Sequence, residues 1–245
     1  MRLENSRIFA LIAFGFFASG LKAGELETFD LDPVRTRVVF AVEHAGLSKA
    51  MGAIFGSTGT LRFDRDDWRS AQLEVTVPLS RLEMGDAKVN AAVLSSTLLD
   101  GKRHPAARFV STKIEPVDAD HAKVCGDLTL RGVTKPLCMD VTLNALKRHP
   151  LPPFHRTAGF SATATLNRKD FGIGAWPTVI GATVNLLIEV EAVRAKDAGS
   201  ATPAEPVAIP PAEEDATDRE PEPPEPASGD SKPAVKPASQ PAGAH

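Results

Sequence analysis

Residues 123–143 read KVCGDLTLRGVTKPLCMDVTL, and this stretch decides the fold class. Val124, Leu128 and Leu130 share one parity; Cys125, Asp127 and Thr129 share the other. Beyond Arg131-Gly132 the alternation resumes, with Leu137, Met139, Val141 and Leu143 set against Cys138, Asp140 and Thr142. In an extended chain, side chains two apart point to the same face. The segment is therefore a β-hairpin with one apolar and one polar face. Arg131-Gly132 supplies its turn, because glycine accepts positive φ without steric cost. Both cysteines fall on the polar face, one per strand, which permits a cross-strand disulfide. Two free thiols are the alternative, since the pairing register is not fixed by sequence and Cα atoms more than ~7 Å apart cannot be bridged.

The same period extends on both sides. Val38, Phe40, Val42 and His44 alternate with Arg37, Val39, Ala41 and Glu43. Residues 53–63 read as a second strand, bending at its glycines. A polar turn follows over 64–69, then Leu73, Val75 and Val77 alternate up to Pro78. Residues 86–94 lose the alternation and contain good helix formers, so a short helix is expected there with Asp86 as its N-cap. Leu98-Leu99 forms an apolar plug, and strand returns with Ala107, Phe109 and Ser111. After the hairpin comes a Pro-rich basic loop, Lys147–Arg156, then an inner face of Phe160, Ala162, Ala164 and Leu166. Asn167–Gly174 reads as a turn, and Val184, Leu186, Ile188 and Val190 close the domain. The fold class is all-β: about eight antiparallel strands and one short helix. A barrel would remove every exposed edge and leave room for side chains or one small ligand. A two-layer sandwich filled with side chains fits the same periodicity.

The ends of the chain read differently. Residues 1–23 carry Arg2 and Arg7, an apolar run over 8–17 too short to span a bilayer, and small residues before Ala23. They read as a secretory signal peptide, which would place the thiols in an oxidising compartment. The alternative is an uncleaved anchor. Residues 24–195 form the folded domain. Residues 196–245 hold more than half of the prolines and almost no large apolar residue. They cannot bury enough surface to offset ordering entropy, and read as a disordered Pro/Ala/Glu-rich spacer. A net charge of −3 argues against nucleic acid as a partner. There is no phosphate-cradling glycine loop, HExxH helix or nucleophile elbow, and the histidines lack metal-ligand spacing, so no cofactor or metal is expected.

Several motifs occur together and in order: FDLDP (29–33), VFAVEHAG (39–46), GTLRFD (59–64), GDLTLRGVTKPL (126–137), GFSATATLNRKDFGIG (159–174) and TVNLLIEVEA (183–192). In these the chain resembles the YceI-like family of bacterial polyisoprenoid-binding proteins, from about Glu27 to Ala192. The resemblance implies a lipocalin-like antiparallel barrel with a helix beside it. It also implies an apolar pore holding a long-chain isoprenoid lipid or quinone, export to the periplasm, and binding rather than catalysis. The family's charged Arg-Asp-x-His-Leu cluster in the helical segment falls on Asn90-Ala91-Ala92-Val93-Leu94 here, where only Leu94 matches.

On this reading Phe40, Val42, Phe109, Leu128, Met139, Phe160, Leu166, Leu186 and Ile188 line the pore; on the competing one they meet as ordinary core. Trp176 and Phe171, with Ile173, form a lip, and Leu94 contributes from the helix. His44 ends an inward-facing run and is either a head-group contact or a structural histidine. Arg168 and Asp170 either face a ligand's polar head or form an ion pair or Asx-type turn that fixes the loop. The basic loop at 147–156 and Lys102, Arg103 and His104 either attract an anionic head or a membrane surface in transient contact, or are solvated. Two other functions use the same residues: sequestration of lipophilic compounds such as antibiotics, and a lipid-modifying enzyme with His44 and Asp170 as acid–base pair. The sequence leaves the oligomeric state open, a dimer included.

Overall fold

The computed structural model describes residues 26–195. The segments read as signal peptide and C-terminal spacer lie outside the described residues. The strands are β1 (Glu27–Leu31), β2 (Arg37–His44), β3 (Ser48–Phe55), β4 (Thr58–Phe63), β5 (Gln72–Pro78), β6 (Leu82–Glu83), β7 (Ala106–Pro116), β8 (His121–Leu130), β9 (Val133–Arg148), β10 (Arg156–Asn167) and β11 (Ile180–Arg194). One α-helix, α1 (Ala87–Leu94), interrupts them.

Eight strands close a ring in the order β1-β4-β5-β7-β8-β9-β10-β11, with β11 returning to β1. Every pairing is antiparallel. β2, β3 and β6 lengthen this wall rather than form a second layer. β1 and β2 both pair with the same edge of β11, through Leu31↔Ala192 and Arg37↔Glu189. They act as one long strand, interrupted where the Asp32 side chain accepts from the backbone N–H of Val34 and Arg35. The sandwich alternative is thereby excluded: the sheet closes on itself and has one interior.

Three local readings need correction. Residues 53–63 are not one strand: β3 starts at Ser48, and the chain breaks at Gly56, where φ of 78° is incompatible with a continuous ladder. The polar turn over 64–69 contains a core residue. Asp67 caps a single 3-10 turn by accepting from Arg69 N–H, and this drives Trp68 inward to 6% exposure. The basic loop is shorter than expected, because Lys147 and Arg148 belong to β9 and Arg156 to β10, where its guanidinium donates to Glu27 at 2.8 Å.

The helix forms where expected. Asp86 Oδ1 accepts from Lys88 and Val89 N–H, satisfying two of the first-turn donors. Asn90, where the resemblance puts the family's arginine, accepts from Met84 N–H at 2.8 Å and ties α1 to the end of β6. The 123–143 hairpin is also in place. Arg131 and Gly132 both have positive φ, 51° and 75°, the geometry of a two-residue turn whose twist suits the strands. Cys125 and Cys138 are direct register partners and are disulfide-bonded on the outer face. Gly126 is required for packing: a Cβ there would lie 2.2 Å from the Val110 carbonyl oxygen and 2.6 Å from the Phe109 ring.

Candidate ligand cavity

Inward residues along the tube differ in exposure with height. At one end Phe63, Trp68 and Phe160 are 2%, 6% and 7% exposed. Their rings meet edge to face, with centroids 5.0, 5.5 and 6.2 Å apart, and stopper the tube. Toward the other end Val42, Val184 and Leu186 point inward yet are only half-buried. Side chains of a filled core would all be near zero. The exposure comes from an interior cavity of about 500 Å³, within the ~300–1,000 Å³ range of small-molecule sites. Its wall is almost wholly apolar.

Most of the residues read from sequence stand on this wall: Phe40, Val42, Phe109, Leu128 and Met139, and from the last two strands Phe160, Leu166, Leu186 and Ile188. His44, Arg168 and Trp176 stand at the open end. Three do not reach the cavity. Leu94 turns away, packing against the group around Leu79 and Leu82 and over Gly101; Val89, Ala92 and Val93 present the helix to the interior instead. Phe171 is 3% exposed, buried with Leu98 and Ile173 in a cluster beneath the lip. Asp170 is exposed and off the wall. Helical spacing explains the first: from Leu94 the opposite face is reached one or two residues earlier.

Sequence reasoning missed Trp68, hidden among charged neighbours, and the contacts of Arg131, which it read only as a turn residue. Arg131 joins the lip together, donating to the Gly172 carbonyl at 2.6 Å and the Ser96 carbonyl at 2.7 Å. The lip is also braced at Asp100, 3% exposed, which pairs with Arg103. The hydrogen bond from Arg103 holds its carboxyl below the usual range, against the opposing effect of burial.

The polar groups at the open end are few. Arg168 is 4% exposed and donates to the carbonyls of Gly181, Ile173 and Ile180 at 2.7–2.8 Å. Among the described residues no carboxylate pairs with it, so the Asp170 ion pair does not form; the loop is instead fixed by Asn167 accepting from Lys169 N–H. Burial pushes the Arg168 guanidinium down from its ordinary value, but at this starting point it stays charged. His44 and Glu43 are exposed at the rim. His44 borders the cavity and Asp170 does not, and no hydrogen bond links the two. Among the described residues no group of three or more His, Cys, Asp or Glu side chains is placed to hold a metal.

Residues 29–192 match the YceI-like domain over nearly all of the described barrel. The chain belongs to the YceI-like family. Among its relatives, a UPF0312 protein of Pseudomonas putida (strain W619) is 32% identical over 192 residues, 78% of this chain and 98% of that protein. A UPF0312 protein of Pectobacterium atrosepticum is 31% identical over 190 residues, 77% and 97% of the two chains. Solved structures share the fold. Burkholderia cenocepacia BcnA has a TM-score of 0.60 at 20% identity, covering 66% of this chain and 99% of its own. A domain from Saccharophagus degradans, described as a polyisoprenoid binding domain implicated in plant cell wall breakdown, has a TM-score of 0.54 at 12% identity, covering 69% and 99%.

Proposed function

We propose that this YceI-like chain is an exported, periplasmic binding protein that holds one long isoprenoid lipid or isoprenoid quinone non-covalently in its barrel. The observation that carries this is the apolar cavity of about 500 Å³, stoppered by Phe63, Trp68 and Phe160 and open at the other end. Each CH₂ moved from water into such a wall gains ~0.8 kcal/mol, so a polyprenyl tail needs few polar contacts. The tail would lie toward Trp68 and the polar head at the mouth. There Arg168 has five N–H donors, of which three are engaged by carbonyls. The remaining donors suit a phosphate or quinone oxygen. The disulfide supports export, since such bonds persist in oxidising compartments. The description of the Saccharophagus domain supports the ligand class. That Asp170 lies off the cavity wall that His44 borders favours binding over catalysis.

Native mass spectrometry of gently extracted protein is expected to show a lipid-sized adduct, and the emptied protein to take up added polyprenol or ubiquinone at one per chain. An empty protein that takes up neither would remove the proposal. Competition by a lipophilic antibiotic at equal or higher affinity would favour sequestration instead. Replacing Arg168 by Met is expected to weaken binding of a polyprenyl phosphate more than that of the uncharged polyprenol.

A further inference from the structure

The open end of the tube carries apolar side chains that the fold itself does not use. Leu47, at the tip of the β2–β3 hairpin, is 88% exposed. Positive φ at Ala45 and Gly46, 55° and 68°, makes the tight turn that leaves it outside. Trp176 is 50% exposed, with Val179 and Val89 also open to solvent. Ala45 N–H donates to the Val179 carbonyl at 2.6 Å, so the hairpin tip and the Trp176–Val179 turn form one continuous edge. Trp176, Val179 and Val89 also line the cavity. The exposed rim and the greasy interior are thus a single surface.

Three elements around this lip bear a lysine: Lys49 on β3, Lys88 on α1 and Lys169 in the turn after β10. All three are exposed, and none makes an ion pair among the described residues. Most nearby carboxylates are committed. Asp86 caps α1, Glu83 accepts from Gly85 N–H and Asn90, and Asp100 holds Arg103. Glu43 and Asp170 remain as exposed acids.

We propose that this rim docks the chain on the surface of a phospholipid bilayer containing anionic lipids. Leu47 and Trp176 enter the headgroup layer, and the three lysines meet lipid phosphates. Tryptophan is favoured at that depth because its ring is amphipathic, and lysine stems lie along apolar surface while the ammonium reaches the charge. The ligand then passes between bilayer and cavity without exposing its tail to water. This rests on the lipid-binding reading of the cavity.

The chain's two tryptophans report directly on the geometry. With vesicles of phosphatidylglycerol and phosphatidylethanolamine bearing brominated acyl chains, the purified chain, its C-terminal segment included, is expected to show quenching of Trp176 but not of buried Trp68. Quenching should therefore vanish in Trp176→Phe and persist in Trp68→Phe. Leu47→Asp, which lies off the cavity wall, should lower vesicle partitioning about tenfold and leave uptake of detergent-presented polyprenol unchanged. Reversing Lys49, Lys88 and Lys169 to Glu should remove the preference for anionic over zwitterionic vesicles. Partitioning indifferent to Leu47→Asp, or quenching that survives Trp176→Phe, would overturn the proposal. So would protection of Trp176 that follows protein concentration rather than lipid, which would assign the rim to a second copy. Vesicle binding as expected without any polyprenol uptake would remove the ligand reading alone.

Discussion

The hollow interior can be tested by making one substitution at two heights. Val184 lies on β11, register partner of Val42 and Leu166, and all three are half-buried on the cavity wall. Val124 lies on β8 between Ile114 and Met139 near the stoppered end and is 5% exposed. A phenylalanine at 184 projects its extra carbons into empty space. Partly burying a few carbons at ~0.8 kcal/mol each, less the ring's lost rotamer freedom, gives a stability change between about 0 and +1 kcal/mol. Val124 also borders the cavity, but it and its register partners Ile114 and Met139 are all buried, so the same ring there must displace neighbours, and overpacking costs about 1–3 kcal/mol. Urea unfolding followed by circular dichroism would read both as shifts in midpoint at unchanged slope. Val184→Phe should also exclude part of a bound chain and weaken uptake of a fluorescent polyene, more for long ligands than for short ones. If Val184→Phe destabilises as much as Val124→Phe, the barrel is filled at both heights and the cavity cannot host a lipid.

Other expectations follow from particular contacts. Replacing Cys125 and Cys138 together by alanine should lower stability by about 2–3 kcal/mol, from the short chain loop the bond closes. Because the bond is on the outer face, ligand uptake in the cold should be unchanged; denaturation with and without reductant checks the first part. Asp86→Ala removes the cap that holds Lys88 and Val89 N–H, costing about 1 kcal/mol locally. Hydrogen exchange over 87–94 should accelerate, and so should ligand release, since α1 supplies Val89 and Val93 to the mouth. Asp100 has its carboxyl lowered chiefly by the Arg103 hydrogen bond. A depressed folded value stabilises above the unfolded carboxylate pKa of ~3.9, and that contribution is lost as pH falls through the lowered value. Melting curves of the wild type and Asp100→Asn should therefore differ at pH 7 and converge in strong acid.

How much of this was legible beforehand depends on what kind of signal each feature leaves. Alternation places Phe40, Leu128, Met139 and Leu186 on one face, and the structure finds them there, because strand side chains have a period of two whatever the strand pairs with. Asp86 capping a helix and Gly132 in a turn are equally local. The cysteine pair needed the register, which depends on the whole ladder between β8 and β9. Trp68 sits in a charged stretch whose local pattern says turn; only the empty end of a closed tube gives it a reason to point inward. Arg168 looked like half of an ion pair with its neighbour, yet carbonyls from the start of β11 and the segment before it claim it.

The chain by itself determined that there are strands with one greasy face, a single capped helix, a turn at 131–132 and a family likeness. It could not determine whether those greasy faces meet or stand apart. That was decided when β11 returned to β1 and closed the ring: eight strands leave an interior that side chains can just fill or that can hold one ligand, and here the inward side chains above the aromatic stopper leave it open. Periodicity is a property of neighbours along the chain, whereas a void belongs to residues that are far apart in it.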